Sequence, residues 1–280
     1  MKKYCFVIDV ARCENCNNCF LSCKDEHCGN DWPGYSLSQP LHGQRWINIS
    51  RKERGQFPLI DVAYLPRPCM HCDDAPCIEA AQNGAVYKRE DGIVLIDPEK
   101  AKGQKNIVEA CPYGSIWWNE EEQIPQKCTF CAHLLDQGWK LPRCVQVCPT
   151  GALTIQKLGD AELEKLIASE NLERLDSSGS GAKPRVFYKN LHRFNSCMIA
   201  GSVATGTGDN TECAVGATVK LFQDGNILLE QQTDDFGDFK FDKLDDNIGG
   251  LEIEILFDGK SVRKEIGSFD QSIFPGTIWI

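Results

Sequence analysis

Residues 13–23 read C-E-N-C-N-N-C-F-L-S-C and set Cys13, Cys16, Cys19 and Cys23 at spacings of two, two and three intervening residues. Three thiolates on one tight turn bind a single iron–sulfur cubane, and a fourth, carried on the helix that follows, points to a different one. Zinc is the competing reading. A structural zinc ion takes four thiolates as C-x-x-C pairs and has little use for a third thiolate two residues after the second pair member. The run therefore reads as iron–sulfur, and Cys23 makes a demand. A second motif must exist elsewhere in the chain and must return a cysteine of its own.

Three further motif positions follow. R-P-C-M-H-C-D-D-A-P-C supplies Cys69, Cys72 and Cys77, and its fourth position is Ala81. In A-K-G-Q-K-N-I-V-E-A-C-P-Y-G only the last ligand, Cys111, remains; positions 101, 104 and 107 are Ala101, Gln104 and Ile107. K-C-T-F-C and P-R-C-V-Q-V-C-P-T-G-A supply Cys128, Cys131, Cys144 and Cys148, with twelve residues between the second and third. A proline follows Cys111 and Cys148, as the bacterial pattern has it, whereas Lys24 follows Cys23.

In paired motifs each cubane takes three cysteines from one motif and one from its partner. Pairing the first with the fourth and the second with the third gives three sets. They are Cys13, Cys16, Cys19 with Cys148; Cys128, Cys131, Cys144 with Cys23; and Cys69, Cys72, Cys77 with Cys111. A fourth site would have used positions 81, 101, 104 and 107, and it has lost all four ligands while no other site has lost any. Scattered decay would not do that. The expectation is three [4Fe–4S] clusters with twelve ligands and one vacated site filled by protein.

The remaining chain bounds the problem. Its 280 residues suit two domains, and a net charge of −10 argues against nucleic acid or anionic lipid as partner. Sixteen cysteines grouped as C-x-x-C read as metal sites rather than disulfides. The opening M-K-K-Y-C-F-V-I-D-V is too short an apolar run for a signal segment, and Asp9 interrupts it. No stretch of about 20 apolar residues would span a membrane. The expected location is cytoplasmic, although a subunit can be exported on a partner's signal.

Residues 4–10 read as a buried strand with Cys5 as a core residue. His27 and Cys28 have no partner at ligand spacing and read as structural; His71 reads as a packing or solvent-facing residue. Residues 44–65 read as a hairpin-like insertion, residues 85–97 as two short strands, and residues 160–172 as a helix capped by Asp160. D-S-S-G-S-G-A-K-P reads as a flexible surface segment, followed by the aromatic strand R-V-F-Y-K. From residue 196 short alternating segments separated by turns predict an antiparallel β-sandwich or small barrel. The expected architecture is thus α+β, a tandem bacterial-ferredoxin-like domain over 1–195 with a β domain over 196–280. No catalytic constellation or nucleotide-binding glycine loop is found, and Cys197 and Cys213 are unassigned.

On all four motif positions, residues 1–195 resemble the iron–sulfur subunits of the dimethyl sulfoxide reductase family of molybdopterin oxidoreductases. The stretches V-I-D-V-A-R-C-E-N-C-N-N-C-F, D-W-P-G-Y, P-C-M-H-C, E-D-G-I-V-L-I-D-P-E-K-A-K-G, K-C-T-F-C-A-H-L-L-D and K-P-R-V-F-Y-K-N-L are similar, within that family, to the small subunits of transhydroxylases of the pyrogallol–phloroglucinol type. The tail, with V-G-A-T-V-K-L and F-G-D-F-K-F-D-K-L, is similar to transthyretin-like modules. The resemblance implies a large catalytic subunit holding molybdenum bis-pterin and the substrate pocket, with this chain as its electron-transfer subunit in a heterodimer or larger assembly. Two alternatives stand beside it: the iron–sulfur subunit of a respiratory or aromatic-dehydroxylating molybdoenzyme, and a zinc-stabilised interaction scaffold.

Overall fold

The apolar run at residues 4–10 becomes β1 (Lys3–Asp9), and α1 (Asn18–His27) carries the last cysteines of the first motif. Next come the hairpin β2 (Ile47–Gln56) and β3 (Leu59–Pro68), then α2 (Pro76–Ala80), β4 (Val86–Lys88), β5 (Val94–Ile96) and α3 (Asn106–Glu109). The first part closes with β6 (Trp117–Asn119), β7 (Ile124–Gln126), α4 (Ala132–Asp136), α5 (Arg143–Gln146), β8 (Leu153–Leu158), α6 (Asp160–Glu170) and β9 (Val186–Lys189). These bounds come from a computed structural model that describes residues 1–175, 179–206 and 210–280.

β1 is central in a three-stranded sheet, antiparallel to β8 and parallel to β9. That explains its apolar run: a strand covered on both faces cannot alternate. Cys5 is fully buried there, packed with Leu163, Leu172 and Phe187, which is the core role expected of it. The second cysteine motif is joined to the third by the short two-stranded piece β4–β5 and the third to the fourth by β6–β7, whereas the longer hairpin β2–β3 lies between the first and the second. α6 begins one residue earlier in its capping than the sequence suggests. Its cap is Gly159, whose N–H donates to Glu162 at 2.8 Å, and Asp160 lies inside the first turn. Of the segment expected to be flexible, residues 176–178 lie outside the described residues; further on, Ala182 and Lys183 accept hydrogen bonds from the Asp74 and Asp73 N–H groups.

The second part runs α7 (His192–Asn195), β10 (Cys197–Thr205), β11 (Glu212–Cys213), β12 (Thr218–Gln223), β13 (Asn226–Gln232), β14 (Asp238–Leu244), β15 (Ile248–Phe257), β16 (Lys260–Phe269) and β17 (Thr277–Trp279). One sheet has β10 between β11 and β14, with β17 added to β10; the other has the order β13-β12-β15-β16. Both contribute to a single core that includes Ile199 and Val203 from one sheet and Val219, Leu221, Ile253 and Ile255 from the other. Burying each such side chain contributes about 1.5–3 kcal/mol. Gly201 is required at its place, because a Cβ there would meet the Phe239 ring at 2.6 Å. Two points correct the expectation. The sheets stay open rather than closing into a barrel, and β17 joins β10 in parallel, so the unit is not wholly antiparallel.

By its contacts the chain divides into residues 1–50 with 64–191, and residues 51–63 with 192–280. The boundary read at 195/196 thus falls at 191/192, and the tip of the β2–β3 hairpin goes with the β unit. The reason is electrostatic as well as apolar. Arg54, fully buried at the tip, donates to Asp61 and, with two nitrogens at 2.8 and 3.1 Å, to Asp242 of β14. No helix among the described residues is long and apolar enough to cross a membrane.

Candidate metal centres

Cys23, Cys128, Cys131 and Cys144 line one enclosed cavity together with His27, Trp46 and Phe130. Cys69, Cys72, Cys77 and Cys111 line a second, with Met70, His71 and Val94. Cys13, Cys16, Cys19 and Cys148 lie within electrostatic reach of one another. This third group is nearer solvent: Cys16 is exposed and Cys13 and Cys148 half-buried, while all the cysteines of the other two groups except the half-buried Cys111 are buried. Cys23 therefore sits with the fourth motif, Cys148 with the first, and Cys111 with the second.

Local backbone geometry explains how the turns hold their thiols. In three of the four C-x-x-C turns, those ending at Cys16, Cys72 and Cys131, the residue before the second cysteine is left-handed: Asn15 at φ +54°, His71 at +44° and Phe130 at +60°. Asparagine tolerates this conformation; phenylalanine is strained in it. The turn directs peptide N–H groups towards sulfur. His71 N–H reaches Cys69 Sγ at 3.5 Å, and Phe130 N–H reaches Cys128 Sγ at 3.4 Å. Ser115 N–H donates to Cys111 Sγ at 3.4 Å. Gln39 Nε2 approaches Cys23 Sγ at 4.0 Å.

The thiols also state what the sites are built to hold. Burial, reinforced by neighbouring cysteines, pushes Cys19 up to about 12 and lifts Cys23, Cys72 and Cys144 well above the ordinary thiol range. Burial takes Cys77 to about 11 against the opposing pull of Lys127, and Cys131 to about 12. Four thiolates cannot share such a space unless a strongly cationic group joins them. Among the described residues no three His, Cys, Asp or Glu side chains converge closely enough to hold a single ion. Four thiols gathered around one cavity without converging on a single point suit a cubane, with an iron for each, and not one zinc at their centre.

The three groups are adjacent in a row. Cys144 feels Cys19 of the near-surface group, and Cys128 accepts a hydrogen bond from the Cys69 N–H of the second motif. Phe130 lies among them, 4.4 Å from Phe6 and 5.4 Å from His71, ring centre to ring centre. The place of the missing fourth site is knitted shut. Gln104 Oε1 accepts from Gln82 N–H at 2.8 Å, and its Nε2 donates to Lys100 O at 2.7 Å. Asn106 donates to Ala80 O at 2.7 Å, and Ala101 and Ile107 are fully buried.

Three residues that spacing did not single out as site residues line or abut the cavities. His27, 1% exposed, packs 4.7 Å from Trp46 and 5.4 Å from His133. Burial and His133 push it down to about 3, so it is neutral. His71 is 3% exposed, which excludes the solvent-facing reading and keeps the packing one. Lys127 is equally buried, and its ammonium donates to Val94 O and, at 3.2 Å, to Cys128 O. A lysine immediately before a ligand was the only available signal for Lys127, and lysine is ordinarily a surface residue.

Comparison with known proteins agrees with this chemistry. A family of 4Fe-4S dicluster domains matches residues 60–158. The chain is 48% identical to the pyrogallol hydroxytransferase small subunit of Pelobacter acidigallici over 282 residues, covering 99% of each. It is 33% identical to a tetrathionate reductase subunit of Salmonella typhimurium, over 68% of this chain and 73% of that one. It is 30% identical to the arsenate respiratory reductase iron-sulfur subunit of a Shewanella species, over 65% of this chain and 94% of the other. The chain belongs to the iron–sulfur subunits of the dimethyl sulfoxide reductase family and matches, from end to end, a pyrogallol hydroxytransferase small subunit.

Proposed function

We propose that this chain carries three [4Fe–4S] clusters and serves as the electron-transfer subunit of a cytoplasmic molybdopterin transhydroxylase acting on polyhydroxybenzenes. The observation that carries the reading is the set of three cysteine quartets in one row, in a chain that matches a pyrogallol hydroxytransferase small subunit over its whole length. Cys13, Cys16, Cys19 and Cys148 would hold one cubane, Cys23, Cys128, Cys131 and Cys144 the middle one, and Cys69, Cys72, Cys77 and Cys111 the last. Bound cubanes supply one-electron chemistry at potentials tuned by burial and by hydrogen bonds to sulfur. The chain's own part is to exclude water from the two enclosed sites and to aim peptide N–H groups at the ligands. The half-buried quartet is the end of the row that faces the catalytic subunit, which would hold molybdenum bis-pterin and the substrate. The β unit is read as a transthyretin-like module without a catalytic role.

The test is to produce this chain with and without the neighbouring large-subunit gene, assaying pyrogallol and other polyhydroxybenzenes. Turnover is expected only with the partner present, with roughly twelve irons per small subunit. Turnover by this chain alone, or iron near eight, refutes the proposal. A second reading keeps the clusters and changes the partner. The identity to tetrathionate and arsenate reductase subunits supports a respiratory iron–sulfur subunit, and a molybdenum-containing partner inert towards every phenol would select it.

A further inference from the structure

Each enclosed cavity has one buried histidine in its wall, and for His71 the ring proton can be placed. Nδ1 of His71 accepts a hydrogen bond from the Val94 N–H at 3.1 Å. A nitrogen that accepts a peptide N–H carries no proton, so in the neutral ring the proton is on Nε2. Nε2 is buried and has no hydrogen-bond partner among the described residues. The ring lines the cavity shared by Cys69, Cys72, Cys77 and Cys111, and its left-handed backbone at φ +44° is set by the turn that presents two of those cysteines. A buried donor left without an acceptor costs about 1–3 kcal/mol. The group that four thiolates would hold in this cavity presents sulfur acceptors to its walls.

We propose that His71 donates its Nε2–H to a sulfur of the cubane held by Cys69, Cys72, Cys77 and Cys111, and so raises that cluster's reduction potential above what its ligands alone would give. The inference rests on the reading of those four cysteines as cluster ligands. The direction follows from charge. Reduction puts negative charge on the sulfurs, which makes them better acceptors, so a donor fixed against them stabilises the reduced form more than the oxidised one. His71 does not ligate iron here; it is a positioning and tuning residue. Its Val94 bond orients the ring as second-sphere partners orient metal-bound histidines.

The experiment uses the complex of this chain with its catalytic subunit, comparing wild type, His71→Leu and His71→Gln. Potentials are read by EPR-monitored redox titration alongside iron analysis. His71→Leu is expected to weaken reduction of one cluster of three about tenfold, which is about 59 mV for a one-electron couple. His71→Gln, whose amide N–H reaches a similar position, is expected to restore most of it. Three clusters with unchanged potentials in His71→Leu, or an equal shift in all three, would overturn the inference while leaving the ligand assignment standing. Iron near eight in the wild type would overturn both. Should His71→Leu lose its cluster, wild type labelled with ¹⁵N-histidine decides the matter against His71→Gln. A weak ¹⁵N coupling on the reduced cluster, lost in His71→Gln, supports the proposal; no such difference refutes it.

Discussion

Lys127 offers a single-residue handle on electron transfer in this chain. Its ammonium is 3% exposed and lowers the thiols of Cys77, Cys111 and Cys128, so it lies between the middle and last cysteine quartets. At an effective dielectric of about 20 and a separation of about 6 Å, one unit charge contributes about 3 kcal/mol. For a one-electron couple that is about 120 mV, since tenfold in equilibrium is about 59 mV. Removing a positive charge disfavours the more negative, reduced cluster, so both neighbouring potentials should fall. Lys127→Gln removes the charge and keeps a donor for the carbonyls of Val94 and Cys128. Lys127→Met also strands those carbonyls, which costs about 1–3 kcal/mol of stability but does not itself move a potential. EPR-monitored titration of the complex should show two clusters falling by about 100 mV in Lys127→Gln, with the Cys13 cluster moving much less. Shifts below about 20 mV, or equal shifts in all three, would refute the electrostatic reasoning.

Two further outcomes test the ligand pairing and the hairpin. Cys23→Ala should disturb the cluster of Cys128, Cys131 and Cys144 and spare that of Cys13, Cys16 and Cys19; loss of the latter's EPR signal alone would reverse the assignment. Arg54→Met leaves Asp61 with Arg193 and Lys240 and Asp242 with Lys240, so it should destabilise the β unit by about 1–3 kcal/mol, seen as faster hydrogen exchange over residues 51–63. Arg51→Met, in an exposed pair with Glu53, should change stability by at most about 1 kcal/mol.

The gathering of twelve cysteines into quartets was legible because such motifs are written in local spacing: a turn that presents three thiols draws them from one short stretch. Their grouping was legible for a related reason, since the four vacancies fall on one site. What spacing could not reveal depends on partners remote in sequence. Residues 51–63 join the β unit because Arg54 meets Asp242, 188 positions away. His71 is buried because Val94, 23 positions on, donates to it. Alternation located the strands of the β unit, but whether two sheets close into a barrel is settled by which edges pair. That is a property of the whole unit. The cap of α6 was misplaced by one residue because Asp160 has the favoured side chain, while Gly159 has the N–H that Glu162 reaches.

The vacated fourth site allows the sharpest check on how far cysteine spacing alone makes a cluster. Replacing Ala81, Ala101, Gln104 and Ile107 together by cysteine would restore all the ligands that the motif pattern requires. We expect no fourth cluster to form. The two enclosed quartets each line a cavity, whereas Ala101 and Ile107 are fully buried against packed neighbours. Exchanging Ile107 and Gln104 for cysteine would free only a few methylene volumes. Two alanine-to-cysteine changes would refill part of that. The Gln104 side chain also satisfies the Gln82 N–H and Lys100 carbonyl, so its loss leaves polar groups unpaired without creating a chamber. Iron analysis of the quadruple variant should therefore stay near twelve per chain, with lowered stability. A value near sixteen, with a fourth EPR signal, would show that ligands alone carve the site and that the packing argument is wrong.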